Sequence, residues 1–371
     1  MLFKTPRLTP QEKVVVEEIL RIRDTLQYAI SSPKRWVGVL RRNAFASAIR
    51  GSNSIEGYNV TEEDAIAAVE GQSPLDAQSE TWAAIMGYRE AMTYVLQLSD
   101  DPHFTYSEGL LRSLHFMMIR YDLGKHPGRW RPGPIFVRNE QTGQRVYEAP
   151  DAEKVPGFMK ELVEALNGEK TDPFIVRAAM SHLNLVMIHP FADGNGRMAR
   201  CLQTLVLARE GIIDPWFSSI EEYLGRNTQS YYDVLALVGK GRWSPQSDAR
   251  PWLRFCLTAH HRQARTLLRR SREMERAWNE IEEEVKKRHL PERVQLALSD
   301  ATLGYRIRNS TYRSAAQISE TLASRDLKLL VDQGLLIAGG EKRGRFYTAS
   351  PILRKIRERT REPRDSDKPV L

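Results

Sequence analysis

Residues 174–210 read FIVRAAMSHLNLVMI (174–188), HPFADGNGRMAR (189–200) and CLQTLVLARE (201–210). Up to Ile188 the apolar residues return every three to four positions, and the same period resumes in RMARCLQTLVLARE, so two apolar helices flank a short glycine-rich loop. The order within that loop has a chemical logic. Gly194, Asn195 and Gly196 stand immediately before a helix start, where unobstructed backbone N–H groups and the positive end of the helix dipole favour an anion. Arg197 and Arg200, three apart on the new helix, share a face and can both reach charge held there, which suits a polyphosphate. Asp193 beside them can hold Mg²⁺, a cation that takes one or two carboxylates and completes its shell with substrate oxygens. His189, at the end of the first helix, titrates near neutral pH and can take a proton from a hydroxyl. Phe191 is expected to point into the core and pin the loop.

Outward from this loop, helical periodicity dominates the first two thirds of the chain: VVVEEILRIRDTLQYAI, NAFASAIRGSNSIEG, AIMGYREAMTYVLQLS and EGLLRSLHFMMIR. The exception is GRWRPGPIFVRNEQTGQRVYEAP, where two β-prone runs, IFVRN and RVYEA, flank a turn at Gln141, Thr142 and Gly143 and predict a hairpin. A charge-rich stretch from Pro251 to Leu290 is expected to hold the last core helix and a connecting helix. From Arg293 the texture changes again, through AAQISETLASRDLKLLVDQGLLIA to GGEKRGRFYTAS, and marks a second domain.

Bulk composition limits the alternatives. A chain of 371 residues with 41% hydrophobic content can bury a sizeable core and divide into two or three domains. No apolar run is long enough to span a bilayer and the opening residues lack the apolar segment of a secretory signal, which predicts a cytoplasmic protein with no membrane contact. Cys201 and Cys256 lie in apolar helical patterns without metal-ligand spacing and read as reduced, buried thiols. The formal charge is +8, and residues 292–371 carry 16 Lys and Arg against 10 Asp and Glu. That bias suits a polyanionic partner, though such a basic surface is also common on proteins that bind none. GNGRMA fits a loose dinucleotide fingerprint but follows a helix rather than a strand, and no GxxxxGK[ST] segment exists, so neither a Rossmann site nor a P-loop is present.

The segment HPFADGNGRMAR matches HPFx[D/E]GNGRxxR, the signature of Fic proteins, at every defined position. The resemblance implies a mainly α Fic-type helical core with a β-hairpin flap, and transfer of AMP from ATP to a Ser, Thr or Tyr hydroxyl of a target protein. It implies His189 as general base, Asp193 as Mg²⁺ ligand, Gly194, Asn195 and Gly196 as anion hole, and Arg197 and Arg200 as phosphate contacts. Upstream, SNSIEG resembles the family's inhibitory motif [S/T]xxxE[G/N], with Ser52, Glu56 and Gly57 at its defined positions. There Glu56 would pair with Arg200 and leave ATP in an unproductive pose, so the resting enzyme is expected to be autoinhibited. The hairpin, begun by Arg129 and Trp130, corresponds in position to the flap that aligns a target segment. Asn227, Tyr231 and Tyr232 fall where relatives line the nucleoside pocket; Asn227 and Tyr232 are the candidates retained. Removal of AMP, another nucleotide donor, and a nucleotide-sensing DNA-binding regulator stay open as alternatives, and family habit implies a homodimer.

TYRSAAQISETLASRDLKLLVDQGLLIAGGEKRGRFY resembles a winged helix-turn-helix. The resemblance turns Thr321, Ser324, Arg325 and Lys328 towards DNA, with Lys342, Arg343 and Arg345 on the wing, or else makes the module a protein-docking unit. The expected organisation is an N-terminal helical region with the inhibitory helix (1–100), the catalytic core (101–250), connecting helices (251–290), the winged helix-turn-helix (291–350) and a charged tail (351–371).

Overall fold

A computed structural model describes residues 1–31, 35–138, 143, 145–210, 215–341, 344–363 and 370–371. Helices α1 (Pro10–Ser31), α2 (Arg35–Ile55), α3 (Glu62–Val69), α4 (Ser79–Gln97) and α5 (Glu108–Ile119) precede strands β1 (Phe136–Arg138) and β2 (Arg145–Glu148). Then come α6 (Val155–Asn167), α7 (Phe174–Ile188), α8 (Asn195–Ala208), α9 (Glu221–Arg226), α10 (Thr228–Gly239) and α11 (Arg250–Lys287). The chain closes with α12 (Gln295–Leu303), α13 (Asn309–Ala316), α14 (Glu320–Asp332), β3 (Leu336–Gly339), β4 (Phe346–Ala349) and α15 (Pro351–Thr360).

The main core forms around α7, which is apolar on nearly every side and therefore has to be enclosed. Ile175, Val176, Ala179, Leu183 and Ile188 are fully buried, packed with Met198, Leu202 and Leu205 of α8. Ile85 and Met92 of α4 close one side and Trp252, Cys256 and Leu257 of α11 another. The Trp252 indole N–H donates to the Ala179 carbonyl at 2.8 Å, so its one polar atom is satisfied inside the core. Cys201 and Cys256 are both free and buried.

The expected hairpin is present, pairing Phe136 with Glu148, Val137 with Tyr147 and Arg138 with Arg145. Its turn residues Gln141 and Thr142 lie outside the described residues. The Tyr147 hydroxyl donates to the Met187 carbonyl at 2.7 Å, which ties the hairpin to the end of α7.

Where a core helix and a connecting helix were expected there is one continuous helix, α11, of 38 residues. At 1.5 Å per residue it is about 57 Å long, enough to serve two cores. Its first half closes the main core, and its second half, through Ala277, Ile281 and Val285, packs with Leu298, Leu327, Leu330 and Leu353 of the C-terminal elements. There β3 and β4 pair antiparallel, and Ile307 bridges to Tyr347 of β4. Residues 351–371, expected as a charged tail, begin with a packed helix: Leu353 and Ile356 of α15 are buried, and Glu362 pairs with Arg272 and Arg276 of α11 at 2.8 Å each. Among the described residues no helix is long and apolar enough to cross a membrane.

Helix α2 links the two cores. Its first half packs Trp36, Val37 and Leu40 against α1 and α11, and the buried Arg42 makes an ion pair with Asp300 of α12. Its second half crosses α9 at a contact of backbone on backbone, because a Cβ at Gly225 would lie 2.6 Å from the Gly51 carbonyl oxygen. Gly225→Val is therefore expected to force the helices apart and cost about 2 kcal/mol, read as a lowered Tm; an unchanged Tm would show that the crossing tolerates a side chain.

Candidate functional site

Two left-handed residues shape the loop between α7 and α8. His189 caps α7 at φ 51°, with its N–H donating to the Leu185 carbonyl, and Gly194 sets the start of α8 at φ 76°. At Gly194 a side chain is doubly excluded, since a Cβ would also lie 2.9 Å from Cδ1 of Ile119. Between them Phe191 is fully buried, stacked on His115 of α5 with ring centroids 3.7 Å apart. The Asn195 amide clamps the loop, with Oδ1 accepting from the Phe191 N–H and Nδ2 donating to the Phe191 carbonyl, both at 2.9 Å. The Asn195 side chain is thus spent on the loop itself, which leaves its backbone to face a ligand.

The half-buried His189 ring places Nδ1 3.0 Å from the Val186 carbonyl. A carbonyl can only accept, so Nδ1 carries the proton and Nε2 keeps its lone pair. Burial lowers the imidazole below its ordinary pKa, partly offset by the Val186 hydrogen bond, so the ring is neutral at physiological pH. Asp193 accepts the Gly194 N–H at 2.6 Å on Oδ1 and pairs with Lys125 at 2.9 Å on Oδ2, with Arg197 3.9 Å away. Burial would raise its pKa, but the Lys125 hydrogen bond and the charges of Arg197 and Lys125 prevail and hold it below the usual carboxylate range.

Both arginines are buried under the end of α2. Arg200 donates from Nε to the Ser52 hydroxyl at 2.7 Å, and from Nη2 to the Ser52 carbonyl at 3.0 Å and the Glu56 carboxylate at 2.7 Å. Burial alone would lower the guanidinium pKa, but the Glu56 charge more than offsets it. The Glu56 carboxylate also lies against the backbone of Gly196, where a Cβ would collide with its Oε1. Gly57 follows at φ 80° and turns the chain so that the Tyr58 ring faces Arg197, 5.2 Å from its guanidinium carbon. Among the described residues, Nε and Nη1 of Arg197 and Nη1 of Arg200 are buried without a hydrogen-bond partner. Such donors are costly to leave unpaired.

The residues therefore fit an anion with several acceptor oxygens, and a carboxylate already stands at the helix N-terminus in such a position. They fit a magnesium ion only as a partner of that anion. Among the described residues no three His, Cys, Asp or Glu converge as a metal cage, and Asp193 offers a single carboxylate.

Of the other candidates, Tyr232 reaches the same region, its hydroxyl donating to the Ile55 carbonyl at 3.1 Å, although the residue is 43% exposed. The Asn227 amide donates to the Tyr223 carbonyl at the joint of α9 and α10. Tyr231 is core, 1% exposed and 3.0 Å from His182.

Sequence reasoning missed four residues. His115 accepts the Gly128 N–H on Nδ1, so its Nε2–H donates to the Asp193 carbonyl at 2.9 Å. Arg131 donates to the carbonyls of His189 and Pro150, a role that its place in the hairpin's Gly- and Pro-rich lead-in does not signal. Lys125 and Tyr58 come from loops with no pattern of their own; only tertiary folding brings them to Asp193 and Arg197.

Residues 105–207, which hold the hairpin and the whole α7–α8 loop, match the Fic/DOC family. The fold is similar to that of a Fic family protein from Desulfovibrio desulfuricans G20 (TM-score 0.59, 24% identity, covering 94% of this chain and 98% of that one). It is also similar to Fic-1, residues 134–508, from Caenorhabditis elegans (TM-score 0.55, 22% identity, 69% and 72%).

Particular relatives carry an activity in their names. The protein adenylyltransferase Fic of Nematostella vectensis is 28% identical over 259 residues, 68% of this chain and 56% of the relative. The protein adenylyltransferase fic-1 of C. elegans is 38% identical over 131 residues, 34% and 23%. The chain thus spans about half the length of the first and about a quarter of the second.

Burial holds His115 at a pKa of about 4 and His182 at about 3, and pushes His260 well below the ordinary value. A folded-state pKa below the unfolded one means that the unfolded chain binds protons first on acidification. Stability is expected to be full above about pH 6.5 and to fall as pH drops towards 4. Urea titrations at pH 7.5 and 5 check this, with His115→Asn reducing the difference.

Proposed function

We propose that this protein is an autoinhibited protein adenylyltransferase, moving AMP from ATP to a Ser, Thr or Tyr hydroxyl of a target protein. The observation that carries the reading is Glu56: a carboxylate of the chain itself stands where Gly196 and Arg200 would receive a phosphate oxygen. In the productive state the backbone of Gly194, Asn195 and Gly196 and the open donors of Arg197 and Arg200 hold the β- and γ-phosphates, and Ser52 keeps Arg200 in place. Mg²⁺ on Asp193 would supply positive charge to the phosphate oxygens. His189 Nε2 accepts the proton of the acceptor hydroxyl as that oxygen bonds to the α-phosphorus. The bond from α-phosphorus to the bridging oxygen breaks and pyrophosphate leaves.

Tyr232 and Asn227 border the nucleoside side of the pocket, and the hairpin anchored through Tyr147 is the element on which a target segment aligns. In the resting state Glu56 withholds Arg200 from the γ-phosphate, and release of α2 starts the enzyme. The site's chemistry leaves room for another nucleotide donor and for the reverse removal of AMP, which donor screening by the mass added to the target separates.

Glu56→Gly, incubated with α-labelled ATP and Mg²⁺, is expected to label itself or a lysate protein, and adding His189→Ala to lower the rate at least about 100-fold. Labelling that survives His189→Ala would remove His189 as the base. Because the imidazole pKa is lowered, the base is competent above that value, and the acid limb of the Glu56→Gly pH–rate profile is expected below the ordinary histidine pKa near 6.5. A limb above 7 would contradict this.

The C-terminal elements support a second role, a winged helix-turn-helix that contacts DNA or a protein. Thr321, Ser324, Arg325 and Lys328 of α14 are all exposed, at the spacing of one helix face, and Arg345 extends beside Tyr347. Lys342 and Arg343 lie outside the described residues. Loss of DNA retention in Arg325→Ala with Lys328→Ala supports the DNA role; absence of retention by the parent protein favours docking to a protein.

A further inference from the structure

Asp193 is the acid that the proposed function gives to Mg²⁺, yet a cation of the chain already sits on it. Lys125 closes a short 3-10 turn (Leu123–Lys125) that Asp122 caps, its side chain accepting the Gly124 N–H at 3.0 Å. From there Nζ reaches Oδ2 of Asp193 at 2.9 Å and Oδ2 of Asp122 at 3.8 Å, and lies 5.8 Å above the Tyr121 ring. Gly194 donates its N–H to Oδ1, and Arg197 stands 3.9 Å from Oδ2, so Oδ2 faces two cations. Each oxygen can still accept along a second lone pair, but a divalent ion on Oδ2 would stand against the Lys125 ammonium and the Arg197 guanidinium, so one of these cations has to give way. Gly194 is fixed by the backbone, and Arg197 is fully buried in α8. Lys125 is the partner that can move: its side chain is 27% exposed, on a flexible stem, in a one-turn element.

We propose that Lys125 is the resting counter-cation of Asp193 and exchanges with the divalent metal. On metal binding the ammonium leaves Oδ2 and turns to the nearby phosphate oxygens, so it sets how much Mg²⁺ the site requires. The inference rests on the nucleotide-binding reading and adds a positioning residue to it. Two opposite effects of one substitution follow. Without Lys125 the metal loses its competitor and binds more tightly, whereas nucleotide without metal loses a cation and binds more weakly. A lysine that only braced the loop would weaken both on removal, and a bystander would change neither.

The test uses the full-length Glu56→Gly protein with and without Lys125→Met, probed with Mn²⁺ and a non-hydrolysable ATP analogue. Mn²⁺ binding is followed by electron paramagnetic resonance at saturating analogue, and analogue binding by calorimetry in chelator. The expected result is Mn²⁺ affinity raised about threefold, the scale of a partly exposed ion pair, and metal-free analogue affinity lowered by a similar factor. Lys125→Arg is expected to keep the metal-free affinity close to the parent. Mn²⁺ affinity unchanged or lowered in Lys125→Met overturns the exchange. Failure of the parent to bind the analogue at all, with or without metal, overturns the nucleotide reading itself, and the inference with it.

Discussion

The pairing of the buried Arg200 with Ser52 and Glu56 is the interaction on which the site depends. A guanidinium removed from water has to be met by acceptors, and α2 supplies three of them from one helix end: a hydroxyl, a carbonyl and a carboxylate. The close crossing of Gly51 on Gly225 is what lets that helix end come near enough. The third nitrogen, Nη1, remains open beside Gly196, next to the open donors of Arg197. A site arranged in this way pairs its most buried guanidinium and still leaves donors open to further acceptor oxygens.

The same helix joins that pocket to the far end of the molecule. Arg42 of α2 meets Asp300 of α12 and lies 3.7 Å from Glu70, and Ser314 of α13 reaches Glu70 at 2.9 Å. Arg306 pairs with Glu63 and Asp76 around α3. Polar and directional contacts of this kind fix one docking geometry more tightly than apolar contact alone would. The C-terminal elements thus rest on the helix that covers the arginines rather than on the loop that holds the histidine. The His189 ring is held by Val186 of α7.

The histidine and the carboxylate of the loop are tuned differently. His189 is kept neutral by burial, with its proton directed to Val186. Asp193 is kept ionised by Lys125 and Arg197 in spite of burial. Both groups are thus held in their deprotonated forms, one neutral and one anionic, four residues apart.

Much of this was legible in the order of residues alone. Helical period, the glycine-rich turn before α8, the hairpin and the change of texture near Arg293 are local properties, and local backbone preferences write them directly into sequence. HPFADGNGRMAR displays its chemistry because all its parts lie within twelve residues, and SNSIEG could be linked to it by resemblance. Contacts between distant segments were decided by folding. His115 beneath the loop, Arg131 on the His189 carbonyl, Tyr58 against Arg197 and Lys125 on Asp193 join positions 58 to 139 residues apart, and nothing in their own neighbourhoods marks them. The single helix α11 and the packed α15 have the same cause. A charged surface reads as solvated until a second core is seen to cover its apolar stripe, and only the tertiary arrangement supplies that cover.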